Sequence, residues 1–261
     1  MGALTGLGGG VVLIPMLTLV FGVDIRYAIG ASLVSVIATS SGAAAAYVRE
    51  GYSNIRVGMF LEIATSLGAI LGAVLAAWVD PKWIGLVFGA VLLQAAYSSF
   101  RPGSYEEHLA AGSGRMAQLL KLDSSYPAVD GPRHYHVRNV PAGFGLMGAA
   151  GILSGLLGIG SGAVKVLAMD RAMKLPFKVS TTTSNFMIGV TAAASAGVYF
   201  RRGYIDPGLA MPVMLGVLAG SLAGARWLTV APVRALRILF GVVIALLAIE
   251  MFYNSLTGRL G

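Results

Sequence analysis

The sequence contains no cysteine, which removes a disulfide framework and any thiolate metal site. Only three histidines occur, His108, His134 and His136, and all lie in one stretch, which argues against a buried histidine metal centre. Charge is also scarce. Asp, Glu, Lys and Arg make up 11% of the 261 residues, against about 25% in soluble domains. The glycine runs are not followed by the Gly-Lys-Ser/Thr step of a phosphate loop, so nucleotide-driven work has no seat. No enzyme, cofactor, metal or nucleic-acid function is expected from such a chain.

What the chain has is apolar length. It is 56% hydrophobic with a mean hydropathy of +0.78. Its apolar stretches run for about 20 residues, enough to cross roughly 30 Å of hydrocarbon as helix. In lipid the backbone must satisfy its own hydrogen bonds, so the spans are predicted to be helices. The short alternating strands of a barrel are not visible. The segments fall at 4–21, 27–48, 57–79 and 83–100, then 142–174, 178–200, 208–229 and 233–254. Asp24, Asn54, Asp80-Pro81, Asp206-Pro207 and Ala231-Pro232 supply turn and helix-start signals between them. The expected fold is an all-α polytopic membrane protein of roughly eight helices, in the cell (inner) membrane, with the bilayer as a partner and oligomers permitted. Trp78, Trp83 and Trp227 fall near span ends, where aromatic belts form. The net charge of +8 fits cytoplasm-facing loop arginines, and it also suits an anionic cargo.

The segments form two sets. At an offset of 152 residues, Gly6, Gly8, Gly10 and Val12 meet Gly158, Gly160, Gly162 and Val164. Ser32 meets Ser184, Thr39 meets Thr191, and Tyr47 to Tyr52 meets Tyr199 to Tyr204. Gly68 and Gly72 meet Gly220 and Gly224, and Phe88-Gly89 meets Phe240-Gly241. A duplicated unit with glycine-broken spans is the build of a secondary transporter. The organisation read here is a first repeat over 1–100, a polar connection over 101–141 and a second repeat over 142–261. The connection holds the histidines and many of the charges. It reads as a solvated loop with one short surface helix near Met116–Leu122.

The segment 142–174 is too long for one ordinary span, and Gly155, Gly158, Gly160, Ser161 and Gly162 interrupt it. Two half-helices meeting at a break are expected. In the first repeat the arm matching 142–155 has no counterpart; either the unit is shortened there or the protein begins further upstream. No signal peptide is expected. If the broken segment re-enters instead of crossing, each half has an odd number of spans and the repeats invert. Inversion would place the Arg49-Glu50-Gly51 and Arg201-Arg202-Gly203 loops on opposite faces.

At the glycine motifs the chain resembles the sulfite exporter TauE/SafE family. The carrying residues are Gly6-Leu7-Gly8-Gly9-Gly10-Val11-Val12-Leu13-Ile14-Pro15 with Ala28-Ile29-Gly30-Ala31-Ser32. In the second half they are Gly158-Ile159-Gly160-Ser161-Gly162-Ala163-Val164-Lys165-Val166 with Thr181-Thr182-Thr183-Ser184-Asn185-Phe186. Leu167 stands where the first copy has Pro15, and Ala31 replaces the usual threonine of the Ser step. The resemblance implies a transporter of sulfur oxyanions or small organosulfonates, often directed outward.

The candidate site follows from residue chemistry. A helix N-terminus offers unpaired N–H groups and partial positive charge to an anion, and glycine lets the backbone come close. Gly8, Gly9 and Gly10, with Gly160, Ser161 and Gly162, can present such groups from two half-helices; close packing is the plainer reading of any one of them. Ser32, Thr183, Ser184 and Asn185 offer donors without fixed charge, or they bond to helix carbonyls. Thr39, Ser40 and Ser41 read as packing. Lys165 lies in an apolar run where the first copy has Leu13. A charge there is costly, so it binds the anion, pairs with a carboxylate or snorkels to the headgroups. Glu62, opposite Met214 of the second copy, can carry a proton, but its place early in a span reads more simply as a watered helix entrance. Together these features predict a secondary transporter, most simply an exporter, of small sulfur-containing anions. Such a carrier binds cargo between the repeats near the midplane and runs on an ion gradient. A cation or metal permease or channel would need converging carboxylates, and only Glu62 is available. A non-transporting scaffold has no need of the duplicated breaks.

Overall fold

The computed structural model describes residues 10–49, 51–100, 112–128, 131–228 and 233–257, and it is mainly helical. The first half contains α1 (Gly10–Pro15), widening into π-helical turns over Met16–Val20, then α2 (Ile25–Arg49), α3 (Ile55–Ala76) and α4 (Pro81–Phe100). The connection holds a short helix α5 (Arg115–Leu119) and an antiparallel hairpin of β1 (Ser124–Ala128) and β2 (Gly131–Tyr135). The second half contains α6 (Val140–Leu157) and α7 (Gly162–Leu167), widening over Ala168–Ala172. It ends with α8 (Phe177–Arg201), α9 (Pro207–Leu228) and α10 (Val233–Leu256).

Helix starts recur at the sequence offset: Gly10 and Gly162, Ile25 and Phe177, Ile55 and Pro207, Pro81 and Val233. Local chemistry recurs with them. Asn54 accepts a bond from the Val57 N–H at 3.0 Å, and Asp206 accepts one from the Gly208 N–H at 3.0 Å; each side chain caps the helix that follows. The wide turns close alike, with Val23 N–H donating to Leu17 and Leu175 N–H to Met169, both at 3.0 Å. Pro15 precedes the first wide turn and Leu167 the second. A missing proline N–H is therefore not what widens them.

Packing decides where the halves meet. The guanidinium of Arg26 lies 5.8 Å from the Tyr204 ring centroid, and the ammonium of Lys178 lies 3.7 Å from that of Tyr52. Between these ends, Ser40 of α2 sits against Gly189 of α8. The start of each helix thus meets the end of the other, so α2 and α8 run antiparallel. By contrast α3 and α6 run parallel, and their glycines interlock. A Cβ on Gly68 would fall on the Gly148 carbonyl, on Gly72 on the Ile152 carbonyl, and on Gly151 on the Thr65 carbonyl. Small residues let these backbones touch. On α9, the positional counterpart of α3, nothing among the described residues comes within 4 Å of a Cβ at Gly216 or Gly220.

The outer surface of α3 is apolar. Met59, Ile63, Leu67 and Leu71 follow one another at helical spacing and are more than half exposed. Water would penalise such a stripe, whereas lipid tails match it. Trp78 and Trp83 stand exposed at the turn between α3 and α4. The Trp227 side chain lies outside the described residues.

The connection differs from its expected form in two ways. The hairpin makes the chain other than purely helical, and the segment is not solvated throughout. Leu122, Tyr135 and Val137 are buried against Val57, Leu61, Met173 and Val179. Asn54 Nδ2 donates to the Leu122 carbonyl at 2.9 Å and to the Tyr135 hydroxyl at 2.8 Å. Burial pushes that hydroxyl up to about 12, against the lowering effect of the Asn54 hydrogen bond.

Candidate functional site

The helix α6 ends at Gly158, whose left-handed φ of 65° allows its N–H to turn back to the Ser154 carbonyl at 2.8 Å. Gly160 and Ser161 follow at φ 70° and 41° before α7 begins. A non-glycine residue pays for that conformation. Ser161 is held in it by its hydroxyl, which donates to the Ala150 carbonyl one helix back at 2.6 Å. The long segment therefore does break at its glycines. Gly10 lies beside this break: a Cβ there would come within 2.9 Å of the Gly158 carbonyl and collide with the Ser32 hydroxyl. The two glycine motifs meet at this point. Gly8 and Gly9 lie outside the described residues.

The hydroxyls expected at the site mostly brace the break. Ser32 donates to the Gly158 carbonyl at 3.0 Å, and Ser184 donates to the Gly162 carbonyl at 3.2 Å. Thr183 is drawn elsewhere, accepting the Asn54 N–H at 3.0 Å at the start of α3. Asn185 is buried, and its amide nitrogen has no hydrogen-bond partner among the described residues. Thr39, Ser40 and Ser41 bond to carbonyls of their own helix.

Lys165 projects from α7 and is 0% exposed, so it does not snorkel. Its ammonium donates to the Thr191 hydroxyl of α8. That hydroxyl oxygen lies 2.7 Å from Glu62 Oε1 of α3, and the Ser66 hydroxyl donates to the same carboxylate oxygen at 2.9 Å. Thr191 thus stands between a cation and a carboxylate. Glu62 is 7% exposed, which corrects its reading as a watered helix entrance: α8 packs against α3 and covers it. The second carboxylate oxygen, Oε2, is buried and has no hydrogen-bond partner among the described residues. Helix α3 thereby converges with the distant pair α7 and α8 on one polar seam inside an apolar bundle.

The structure brings Gly10, Ser32, Gly160, Ser161, Gly162 and Ser184 together at the break and places Lys165 one turn beyond it. Thr183 faces the start of α3 instead. Sequence reasoning missed Thr191 and Ser66. Thr191 was visible only as the repeat match of Thr39, and Ser66 only as the residue one turn after Glu62. The seam occurs once, since the positions matching Lys165 and Glu62 hold Leu13 and Met214.

Comparison with known proteins agrees with this architecture. The family model described as "Sulfite exporter TauE/SafE" matches residues 1–251. The probable membrane transporter protein YunE of Bacillus subtilis (strain 168) is 23% identical over 98% of this chain and 93% of its own length. The probable membrane transporter protein YdhB of the same organism is 25% identical over 87% of this chain and 84% of its own. A probable membrane transporter protein of Xylella fastidiosa (strain 9a5c) is 26% identical over 97% of this chain and 90% of its own. No solved structure matches the chain. A match across almost the whole length, on a helical frame broken at its glycines, makes this chain a member of the sulfite exporter TauE/SafE family of membrane transporters.

Proposed function

We propose that this transporter is a secondary carrier that exports small sulfur-containing anions such as sulfite or organosulfonates. It spans the cell (inner) membrane several times as two inverted repeats and binds cargo near the midplane between them. The observation that carries this reading is Lys165. A fully buried ammonium beside a glycine break, in a bundle with an apolar exterior, is a site for negative charge. The antiparallel course of α2 and α8, with matched cation–ring contacts at their two ends, supports inversion. The family description supports outward movement of sulfur anions.

The braced hydroxyls fit this role. Ser32, Ser161 and Ser184 fix the break in place, while Lys165 supplies the attraction and Asn185 an uncommitted donor. Energy comes from an ion gradient. The test is uptake of labelled sulfite, sulfate, thiosulfate, methanesulfonate and chloride by liposomes carrying the purified protein. Saturable responses to sulfur anions, lost in Lys165→Ala, are expected. Equal silence for every anion from folded protein would remove the reading.

A further inference from the structure

We infer that the Glu62–Thr191–Lys165 seam couples each anion to a proton, so that the carrier moves a singly charged anion and H⁺ together. This rests on the anion-carrier reading above. Thr191 has one hydroxyl proton and two acceptors, Glu62 Oε1 at 2.7 Å and its own-helix Met187 carbonyl at 3.0 Å, while its oxygen receives the Lys165 ammonium. With Glu62 ionised, the hydroxyl points to the carboxylate, and Lys165 is neutralised through it. The seam is then closed to an anion, because a second negative charge would face the first in a medium of low dielectric.

Protonation of Glu62 reverses the preference. The proton goes to Oε2, which has no hydrogen-bond partner among the described residues, and Oε1 becomes a weaker, neutral acceptor. Thr191 then donates to the Met187 carbonyl. Lys165 is left as a buried cation without a counter-charge, an unfavourable state until an anion fills it. The other charges on the surrounding helices lie towards helix ends or in the wide turn. Arg56 is exposed at the start of α3, Lys178 and Arg201 are exposed at the ends of α8, and Asp170 and Arg171 lie in the wide turn after α7. The described part of α6 carries no charge. Two states are therefore electrically balanced: the closed pair, and the pair holding one proton and one monovalent anion. Passing between them moves H⁺ with A⁻ and no net charge, so export runs wherever the outward gradient of the anion exceeds the inward gradient of H⁺.

The test uses the full chain in liposomes with a trapped pH dye and methanesulfonate, which stays anionic across the working range. An inward methanesulfonate gradient is expected to acidify the lumen with close to one proton per anion and almost no current. In Glu62→Gln, the proton-to-anion ratio of whatever flux remains should fall at least tenfold. Thr191→Val keeps the volume and both charges, and should lower the same ratio, with Thr191→Ser restoring it. A merely structural role would change flux and leave the ratio unchanged. Wild-type methanesulfonate flux without proton movement, or an unchanged ratio in both variants, overturns the coupling and leaves the carrier standing. No flux of sulfite, sulfate, thiosulfate or methanesulfonate from folded protein overturns both.

Discussion

Lys178 places its ammonium 3.7 Å from the ring centroid of Tyr52, and the pair at the matching sequence offset, Arg26 and Tyr204, makes the same kind of contact at the opposite end of the α2–α8 interface. Two clamps therefore tie the halves together, one at each end. Replacing Tyr52 or Tyr204 by leucine keeps most of the apolar area and removes the ring. Each change is expected to cost about 0.5–1 kcal/mol. The costs should add in the double variant, because the sites share no partner. Unfolding of detergent-solubilised protein measures both.

The buried seam makes a sharper demand. Lys165→Met leaves Glu62 unpaired, and Glu62→Gln leaves Lys165 unpaired; each is expected to lose about 3–5 kcal/mol. The double variant should lose clearly less than the sum of the two single losses, since it leaves no orphan charge. Additive losses in a double-mutant cycle would show that the two charges do not sense each other through Thr191. Transport should vanish in Lys165→Met whatever its stability.

Glycine substitutions should separate two kinds of glycine. Gly160→Ala forces a left-handed residue, costing about 1–2 kcal/mol, and sets its Cβ 2.9 Å from Ile188. Gly160→Leu would therefore disturb packing as well as transport. Gly68→Ala and Gly151→Ala strike backbone carbonyls in the α3–α6 contact, and each should cost about 1–3 kcal/mol. On α9, Gly216→Ala and Gly220→Ala meet open space. They should be neutral or stabilise the helix by up to about 1 kcal/mol. Unfolding midpoints of the five alanine variants provide the comparison.

Tyr135 should give the connection an alkaline limit. Its hydroxyl is held up at about 12, above the ordinary value of about 10. The folded state therefore keeps the proton that the unfolded state gives up. The contribution is complete below about pH 10 and disappears as pH rises towards 12, about 2–3 kcal/mol in all. Absorbance titration of tyrosinate should show a late-ionising component that Tyr135→Phe removes, along with the matching slope of stability against pH.

Most helices could be read from hydropathy because each carries its own signal. The stretch 27–48 became Ile25–Arg49, and 208–229 became Pro207–Leu228. The break at Gly158–Ser161 was legible too, since left-handed backbone falls to glycine. What escaped depends on partners distant in the chain. Glu62 looked watered because neighbours on its own helix say nothing of α8 lying across it. Ser32 and Ser184 looked free for cargo because the carbonyls they hold lie 126 and 22 residues away. The hairpin was hidden by proline and charge in β1 and β2, which are short and weakly patterned.

The single occurrence of the seam has a practical consequence. Leu13 and Met214 occupy the matching places in the other half, so the chain already contains a charge-free draft of its own site. Exchanging Lys165 for leucine and Glu62 for methionine would copy that draft across. The resulting molecule would be its own blank, differing from the working carrier by two side chains that the frame already accommodates elsewhere.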